Sequence, residues 1–288
     1  MKEFFLLSNQ KKINILEDDN ITQFNNIIIN IHGFGSHFQY RNNCENDISV
    51  RSNYFKQGLI KTFGIELSGH GKSDGCHGYI DDHNDLVKDI KNLIDYIQYK
   101  YPNIPIYVMG ESLGGGLCIK LGILFKDLIK GIILLAPLID INSKNKPSYL
   151  IEKAMIKLSH IIPKYKLIKT SKNSKSILNP KYEIERKKNK YSYNDHIMLS
   201  TGRELILLVY WIKENINKFD IPIIIFHAQN DDITDFNSSK HFFDKIKSKD
   251  KELVDVEFGH HAMLVPICEY DIYPSIILNK IVNWIIQK

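Results

Sequence analysis

Residues 106–122 read IYVMGESLGGGLCIKLG, and this segment gives the clearest indication of the fold class. The run IYVM predicts a buried strand, and the small, apolar residues 113–124 predict a helix packed against the centre of a sheet. Between them, Gly110-Glu111-Ser112-Leu113-Gly114 forms a G-x-S-x-G turn. A strand that runs through such a turn into a helix is typical of the nucleophile elbow, which raises a serine hydroxyl at the sheet edge.

The residue types around Ser112 suit this geometry. Gly110 and Gly114 have no side chains, so the strand and the helix can pass closely. The hydroxyl then lies at a helix N-terminus, where amide N–H groups and the helix dipole favour a developing negative charge. A phosphate-binding loop is the alternative, but the G-x-x-x-x-G-K-[ST] pattern that it requires is absent. Ser112 is therefore predicted to be a nucleophile.

Short apolar runs alternate with amphipathic segments along most of the chain. The apolar runs predict strands, at residues 27–31, 60–67, 106–109, 132–136, 221–226 and 253–258. The amphipathic segments predict helices, at residues 85–99, 113–124, 236–246 and 276–286. This alternation predicts an α/β fold with a mostly parallel central sheet flanked by helices.

The alternation fails between residues 139 and 218. This stretch has no convincing strand, an amphipathic pattern over residues 150–162, and 14 Lys/Arg against 5 Asp/Glu between residues 140 and 200. We therefore expect a core formed by residues 1–138 and 219–288. Residues 139–218 are expected to form a basic, helical lid, inserted before the penultimate strands and lying over the carboxyl edge of the sheet, where ligands bind.

Composition narrows the class of protein further. The chain has 288 residues, of which 43% are hydrophobic, which is enough for a full core. No CxxC pair or cluster of histidine ligands occurs, so neither a zinc site nor a disulfide framework is expected, and no cofactor or metal is needed. The N-terminal apolar run is too short for a signal peptide, and no run approaches the ~20 residues of a membrane helix. We expect a cytoplasmic protein with four reduced cysteines, Cys44, Cys76, Cys118 and Cys268.

An acyl-transfer enzyme also needs two N–H donors for the oxyanion that forms on the substrate carbonyl. In a nucleophile-elbow fold, one donor is the amide of the residue after the serine, here Leu113. The other comes from a loop after an earlier strand. The sequence His32-Gly33-Phe34-Gly35 directly follows the predicted strand 27–31. The oxyanion hole is therefore predicted at the amides of Phe34 and Leu113.

The nucleophile needs a base and an acid that orients it, in the chain order serine, acid, histidine. After predicted strand 221–226, the segment HAQNDDITD offers Asp231, Asp232 and Asp235. Asp231 is favoured because it follows the strand by a short turn, whereas Asp235 could cap the next helix. After the last strand, GHHAML offers two adjacent histidines. His261 is favoured as the base, with His260 as the alternative.

The chain resembles the monoacylglycerol lipase/lysophospholipase family of α/β-hydrolases, in its apicomplexan lysophospholipase-like branch. The resemblance covers most of the chain and is carried by HGFG, GHGKSDG at 69–75, YPNIPIYVMGESLGG at 101–115, APL at 136–138 and the segments around Asp231 and His261. It implies the α/β-hydrolase fold and ester hydrolysis through an acyl-enzyme. It also implies the same triad and oxyanion amides, with monoacylglycerol or lysophospholipid as substrate.

Three positions depart from that family's pattern. Glu111 stands where the family often has histidine before the nucleophile. Glu66 takes the position of aspartate in the family's Asp-x-x-Gly-His-Gly. Gly259 lies two residues before His261 rather than three, which keeps His260 open as the base.

The sequence is also compatible with other functions and partners. A broad-specificity carboxylesterase or thioesterase acting on small soluble esters is the second candidate, and a non-catalytic ligand-binding relative is the third. The pattern over residues 150–162 includes Lys153 and Lys157 and either contacts an anionic membrane surface or packs on the core. No nucleic-acid-binding motif is recognisable, and the sequence does not predict an oligomeric state.

Overall fold

The computed structural model describes residues 1–38, 47–168, 179–257, 259–268 and 270–288. The strands are β1 (Lys2–Ser8), β2 (Lys11–Glu17), β3 (Asn26–Ile31), β4 (Ile60–Ile65), β5 (Ile106–Glu111), β6 (Gly131–Leu135), β7 (Lys166–Ile168), β8 (Ile197–Met198), β9 (Ile223–His227) and β10 (Lys251–Asp255). The helices are α1 (Asp47–Phe55), α2 (His83–Lys100), α3 (Leu113–Leu124), α4 (Tyr149–Ser159), α5 (Pro180–Lys188), α6 (Leu199–Asn215), α7 (Phe236–Lys245) and α8 (Tyr273–Ile286).

Eight strands form one twisted central sheet, in the order β1-β2-β4-β3-β5-β6-β9-β10. The six strands from β4 to β10 in this order pair in parallel, which confirms the expected mostly parallel sheet. The side chains of β3, β4, β5, β6 and β9 are buried on both faces, as the continuous apolar runs predict, whereas those of the edge strand β10 are only partly buried. Helices α2, α3, α6 and α7 contribute to the core on one face, while α8 packs on the other. The ends of β5, β6 and β9 therefore meet at one edge.

Each predicted strand and helix of the core is present, with small shifts at its ends. The predicted helix 113–124 matches α3 in full, and the predicted helix 85–99 extends by two residues at its start. That earlier start is caused by Asp82, whose side chain accepts a hydrogen bond from the Asn84 amide and caps α2. The predicted strand 253–258 begins earlier, at Lys251, and its last residue, Phe258, lies outside the described residues.

The N-terminal hairpin is not predicted by the sequence pattern. β1 and β2 pair antiparallel around Asn9 and Gln10, which both adopt positive φ, 48° and 64°. Such a two-residue turn usually contains glycine, so Asn-Gln gave no clear turn signal. The hairpin extends the sheet beyond β4 through antiparallel pairing with β2.

Residues 139–218 contain α4, β7, α5, β8 and α6 in their described part. β7 and β8 pair antiparallel, so the expectation that this stretch holds no strand is wrong. Strands of three and two residues are too short to produce a readable periodicity. Helix α6 buries Leu208, Val209 and Ile212 in the main core, and α4 packs against α6 through Met155. Along the described residues, no helix combines the length and apolarity required to cross a bilayer.

Candidate active site

Ser112 occupies a strained turn between β5 and α3. Its backbone has φ 51° and ψ −114°, a conformation that costs a residue with a side chain about 1–3 kcal/mol. Hydrogen bonds hold it there: the Ser112 amide donates to the Leu135 carbonyl at 3.0 Å, and the Ser112 carbonyl accepts from Leu138 at 2.8 Å and Gly116 at 3.1 Å. The serine is thus fixed against the end of β6.

The two glycines that flank this turn lie where a side chain would collide with backbone atoms. A Cβ on Gly114 would lie 2.4 Å from the carbonyl oxygen of Ile31, and one on Gly110 would lie 2.3 Å from the carbonyl oxygen of Gly114. Real Cβ atoms do not approach backbone so closely. Helix α3 therefore packs directly against the end of β3, which brings the following loop to Ser112.

That loop, His32 to Gly35, lies against the serine side chain. A Cβ on Gly33 would lie 3.2 Å from Ser112 Cβ and 3.8 Å from Ser112 Oγ. Gly35 adopts φ 73°, and the loop is closed by a hydrogen bond from the Ser36 amide to the Gly33 carbonyl at 3.2 Å. Within the described part of the chain, neither the Phe34 amide nor the Leu113 amide donates a hydrogen bond. Both remain available to an oxygen atom of a ligand.

His32 ties this loop to the end of β4. Its Nε2 accepts a hydrogen bond from the Leu67 amide at 3.1 Å, so Nδ1 carries the proton and donates to the Gly33 carbonyl at 2.8 Å. Burial lowers the pKa of His32 to about 4, which keeps the ring neutral. The neutral tautomer is the only form that can make both hydrogen bonds.

Glu66 accounts for one departure from the family pattern. Its carboxylate accepts hydrogen bonds from the amides of Phe38 at 2.9 Å and Lys72 at 2.7 Å, and from Asn14 Nδ2 at 2.9 Å. A Cβ on Gly71, which adopts φ 56°, would lie 2.1 Å from the Glu66 carboxyl carbon. The longer glutamate thus fills the space beside Gly71 and connects β2 with the segments that follow β3 and β4.

Beyond β9, the buried carboxylate of Asp231 pairs with the partly buried imidazole of His261. His261 Nδ1 lies 2.8 Å from Asp231 Oδ2, and Asp231 Oδ1 accepts from the amides of Ile233 at 2.8 Å and Thr234 at 3.1 Å. Burial alone would raise the pKa of Asp231, but His261 and His227 together hold it well below its usual range. The carboxylate is therefore ionised and accepts the Nδ1–H of His261.

The other candidate residues have different contacts. His260 is buried, and its Nε2 lies 3.2 Å from the carbonyl oxygen of Val265. Asp235 caps α7 by accepting from the Ser238 amide at 3.0 Å, which is the alternative structural role that the sequence allowed. Asp232 is partly exposed on the turn after Asp231. Of the two adjacent histidines, His261 is the one whose ring contacts Asp231 Oδ2.

Two residues near Asp231 were missed by the sequence analysis. His227 is fully buried at the end of β9, with Nε2 3.2 Å from Asp231 Oδ2 and Nδ1 2.7 Å from Ser239 Oγ. Thr234 Oγ1 lies 2.9 Å from the same carboxylate oxygen. The only sequence signal for His227 was its position four residues before Asp231, directly after an apolar run.

The acid–base pair and the serine share the carboxyl edge of the sheet. Thr234 Oγ1, beside Asp231, lies 3.2 Å from the carbonyl oxygen of Ala136, the residue that follows the Ser112 partner Leu135. Among the described residues, no hydrogen bond joins Ser112 to His261. Catalytic hydrogen bonds are often long without substrate and shorten in the complex. A serine, two open amides and an imidazole oriented by a buried carboxylate are the groups that acyl transfer requires.

Among the residues that the structure describes, one cluster has metal-ligand composition. Ligand atoms of Asp82, His83 and Glu204 lie within 4.8 Å of one another. However, Lys120 Nζ lies 2.8 Å from His83 Nε2, and Glu204 pairs with both His83 Nδ1 and Arg203 Nε at 2.7 Å. The ammonium of Lys120 supplies the positive charge here, so this cluster is an ion-pair network that joins α2, α3 and α6.

Comparison with known proteins places the chain in a family. The model of the family described as "Serine aminopeptidase, S33" matches residues 22–266. The chain is 27% identical to caffeoylshikimate esterase of Arabidopsis thaliana over 237 residues, 78% of this chain and 69% of that protein. It is 22% identical to monoglyceride lipase of Homo sapiens over 238 residues, 80% of this chain and 74% of that protein.

A solved structure supports the same fold. It is that of a soluble variant of monoglyceride lipase from Saccharomyces cerevisiae in complex with a substrate analog. Its TM-score is 0.80 at 20% identity, and the match covers 99% of this chain and 96% of that chain. The predicted α/β-hydrolase fold is thus confirmed, and the chain belongs to the serine aminopeptidase S33 family of α/β-hydrolases.

Proposed function

We propose that this protein is a serine hydrolase that cleaves carboxylic esters of the monoacylglycerol type through an acyl-enzyme, with Ser112, His261 and Asp231 as its triad. The observation that carries this proposal is the 2.8 Å contact between His261 Nδ1 and Asp231 Oδ2 at the sheet edge that also presents Ser112. The names of the relatives, an esterase and a monoglyceride lipase, support ester hydrolysis.

The first half of the reaction forms the acyl-enzyme. Because Asp231 accepts the Nδ1 proton of His261, the lone pair of Nε2 is free to take the proton of Ser112 Oγ. The Ser112 oxygen attacks the ester carbonyl carbon, and the amides of Phe34 and Leu113 bind the oxygen that becomes negative. Loss of one such donor typically costs ~3–4 kcal/mol of transition-state stabilisation.

The second half releases the acid. As the tetrahedral intermediate collapses, the bond to the alcohol oxygen breaks and the alcohol leaves with the proton held by His261. A water molecule then gives a proton to His261 and attacks the acyl carbon. The same two amides hold the second oxyanion, and Ser112 recovers its proton as the carboxylic acid leaves.

We further propose that residues 139–218 act as a lid, with α6 as its anchored base. Tyr193 supports this role, because its amide donates to the Gly35 carbonyl at 2.9 Å and its ring lies 5.6 Å from that of Phe34. Thr201, on α6, donates to the Gly78 carbonyl at 2.9 Å. The segment thus rests directly on the loop that carries the proposed oxyanion amide.

The outer surface of this lid is suited to an anionic membrane. Met155 packs inward, but most other apolar side chains from α4 to β7 are exposed: Tyr149, Leu150, Ile151, Leu158, Ile161, Ile162, Tyr165 and Leu167. Lys153 and Lys157 lie among them and are also largely exposed. We call these ten residues the lid patch. Apolar side chains with interleaved lysines favour contact with an anionic membrane surface. A monoacylglycerol or lysophospholipid substrate resides in such a membrane.

Labelling with a fluorophosphonate probe, followed by an ester screen, tests the proposal. The wild-type protein is expected to be labelled at Ser112 and to hydrolyse monoacylglycerols. Ser112→Ala should abolish labelling and lower kcat about 10⁴-fold or more without loss of folding. Ser248→Ala is the matched control, because Ser248 is a buried serine at the opposite end of the sheet, before β10.

The outcomes separate the alternatives. An unlabelled, correctly folded wild-type protein would favour the non-catalytic ligand-binding relative. Hydrolysis confined to short soluble esters would favour the broad carboxylesterase or thioesterase. Near-normal ester hydrolysis by Ser112→Ala would remove this serine from the mechanism.

A further inference from the structure

Arg51 places a buried positive charge behind the Ser112 turn. It lies on α1 with its side chain only 6% exposed, and its Nη2 forms an ion pair with Oε1 of Glu111. Glu111 is the residue immediately before Ser112, at the position where the resembled family often has histidine. The carboxylate that departs from the family pattern is thus paired with the guanidinium of an arginine sixty residues earlier in the sequence.

The same guanidinium also reaches β3. Arg51 Nη1 donates to Oδ1 of Asn30 at 3.3 Å, and Asn30 Nδ2 donates to the Phe63 carbonyl at 3.1 Å. Asn30 is fully buried and pairs in register with Met109 of β5. The Arg51 side chain therefore bridges two neighbouring strands, one leading to the loop of Phe34 and the other to Ser112.

The charge of Glu111 matters because a negatively charged oxygen forms near it during the reaction. During acyl transfer, negative charge develops on the oxygen held between the Phe34 and Leu113 amides. A carboxylate one residue before the nucleophile opposes that charge unless it is neutralised, since electrostatic effects are strong in a site shielded from water. An ionised group of this kind, largely shielded from water and unpaired, is also unfavourable for the fold.

We propose that Arg51 is a positioning residue of the oxyanion site, which neutralises Glu111 and aligns the ends of β3 and β5. The proposal rests on the function proposed above. It has one specific consequence: Arg51 is required for turnover only as long as Glu111 carries a charge. An arginine required only for its hydrogen bond to Asn30 would be needed whatever residue stood at position 111, and one required only to stabilise the fold would change the unfolding midpoint but not the kcat of the folded protein.

A double-mutant cycle tests this consequence. Arg51→Met removes the charge and keeps the length of the side chain, and is expected to lower kcat by roughly 30-fold with little change in KM. Glu111→Gln keeps an oxygen that can accept from Arg51 and should stay within about 3-fold of wild type. The double variant Arg51→Met/Glu111→Gln is expected to recover to within about 3-fold of Glu111→Gln.

Lys61→Met is the matched structural control. Lys61 is another buried cation, with Nζ 3.3 Å from Glu17 Oε1, but it lies at the amino end of β4, away from the site. It should lower the thermal unfolding midpoint and leave kcat unchanged. A similar loss of kcat in Lys61→Met and Arg51→Met would show that the loss reflects general destabilisation and would overturn the proposal.

Each of the remaining outcomes either supports or contradicts the proposed role of Arg51. Wild-type kinetics in Arg51→Met, or a double variant as impaired as Arg51→Met, overturns the proposal. If Arg51→Met does not fold, the double variant decides: a folded and active double variant supports the proposal, and an unfolded or inactive one contradicts it. Failure of Ser112 labelling in the wild-type protein would instead remove the proposed function itself.

Discussion

His227 Nε2 lies 3.2 Å from Asp231 Oδ2, the carboxylate oxygen that also accepts from the proposed catalytic histidine. Because Asp231 is ionised and can only accept, His227 donates from Nε2, and its Nδ1 accepts from the Ser239 hydroxyl at 2.7 Å. Helix α7, which carries Ser239, is thereby connected through His227 to Asp231.

This connection predicts that His227 positions Asp231. His227→Leu removes one donor to a buried charge, a hydrogen bond of the class worth about 1.5–3 kcal/mol, and should lower kcat about tenfold with little effect on KM. His227→Gln can place an amide N–H where Nε2 lies and should recover most of the rate. Steady-state kinetics on one monoacylglycerol measures both variants.

The exposed histidine on α7 provides the control. His241→Gln changes the same residue type on a solvated surface and should leave kcat unchanged. Equal losses in His227→Leu and His227→Gln would show that the volume of the imidazole matters rather than its donor, and would contradict the positioning role.

Two buried histidines are expected to make the folded state less stable at low pH. Burial lowers the pKa of His32 to about 4 and that of His70 to about 3, against an ordinary value of about 6.5. His70 Nδ1 donates to the Ser68 carbonyl at 3.1 Å, while its Nε2 has no partner among the described residues. Protonation at Nε2 would therefore create a buried positive charge with no acceptor.

The sign of the pH effect follows from these depressed pKa values. Between pH 6.5 and about 4 the unfolded chain binds protons at both positions and the folded chain does not. The stability contributed by the neutral rings is complete above pH 6.5 and is lost as the pH falls toward 4. His70→Asn should lower the slope of unfolding free energy against pH by about 1 kcal/mol per pH unit in this range. Urea unfolding at several pH values measures it, and an unchanged slope would contradict the prediction.

The parts of the site that were predictable are those encoded within a few neighbouring residues. The strand, the G-x-S-x-G turn and α3 are contiguous, and Gly110 and Gly114 directly reflect a backbone contact. Likewise, the chain order of the proposed triad, Ser112, Asp231 and His261, follows from the fold once the alternation of strands and helices is read. These features required no knowledge of distant contacts.

The parts that were not predictable depend on pairing across the chain. The contacts of Arg51 and Glu66 involve partners on other elements, and nothing adjacent in sequence indicates them. The choice between His260 and His261 is a matter of side-chain direction in consecutive residues, which composition cannot reveal. The core packing of Leu208 on α6, inside the expected lid, is likewise visible only in three dimensions.

Two glycines in the site predict different consequences for the same substitution. In Gly114→Ala the new Cβ would lie 2.4 Å from the Ile31 carbonyl oxygen, so either α3 or β3 must move. In Gly33→Ala it would lie 3.2 Å from Ser112 Cβ, which a small loop shift can relieve. Gly114→Ala should therefore lower the unfolding midpoint and abolish probe labelling.

Gly33→Ala should instead fold normally and lower kcat by about 10- to 100-fold, because a displaced loop weakens one oxyanion donor. Thermal unfolding and probe-labelling rates separate the two effects. If both variants lose stability equally, or if both are labelled at the wild-type rate, the proposed packing of this loop on Ser112 is wrong.

The lid patch predicts binding to anionic vesicles through its most exposed apolar side chains. Leu150 and Ile161 are each 77% exposed, and inserting such a side chain into lipid contributes about 1.5–3 kcal/mol. Leu150→Glu/Ile161→Glu should therefore weaken binding to vesicles of phosphatidylcholine with phosphatidylserine by at least about tenfold. The measurement is sedimentation with vesicles at low and high salt, with hydrolysis of a soluble short-chain ester as the reference for an intact site.

A matched pair of surface changes distinguishes the lid patch from general hydrophobicity. Leu7 and Ile286 are also exposed, 74% and 53%, but lie on the edge strand β1 and at the end of α8. Leu7→Glu/Ile286→Glu adds the same two negative charges and should leave vesicle binding within about twofold of the wild-type value. Negative charges outside the membrane contact repel an anionic vesicle only weakly, because salt screens them. Equal weakening by both double variants would mean that net charge rather than the lid patch governs binding. No binding by the wild-type protein at low salt would rule out the membrane contact while leaving ester hydrolysis at Ser112 unaffected.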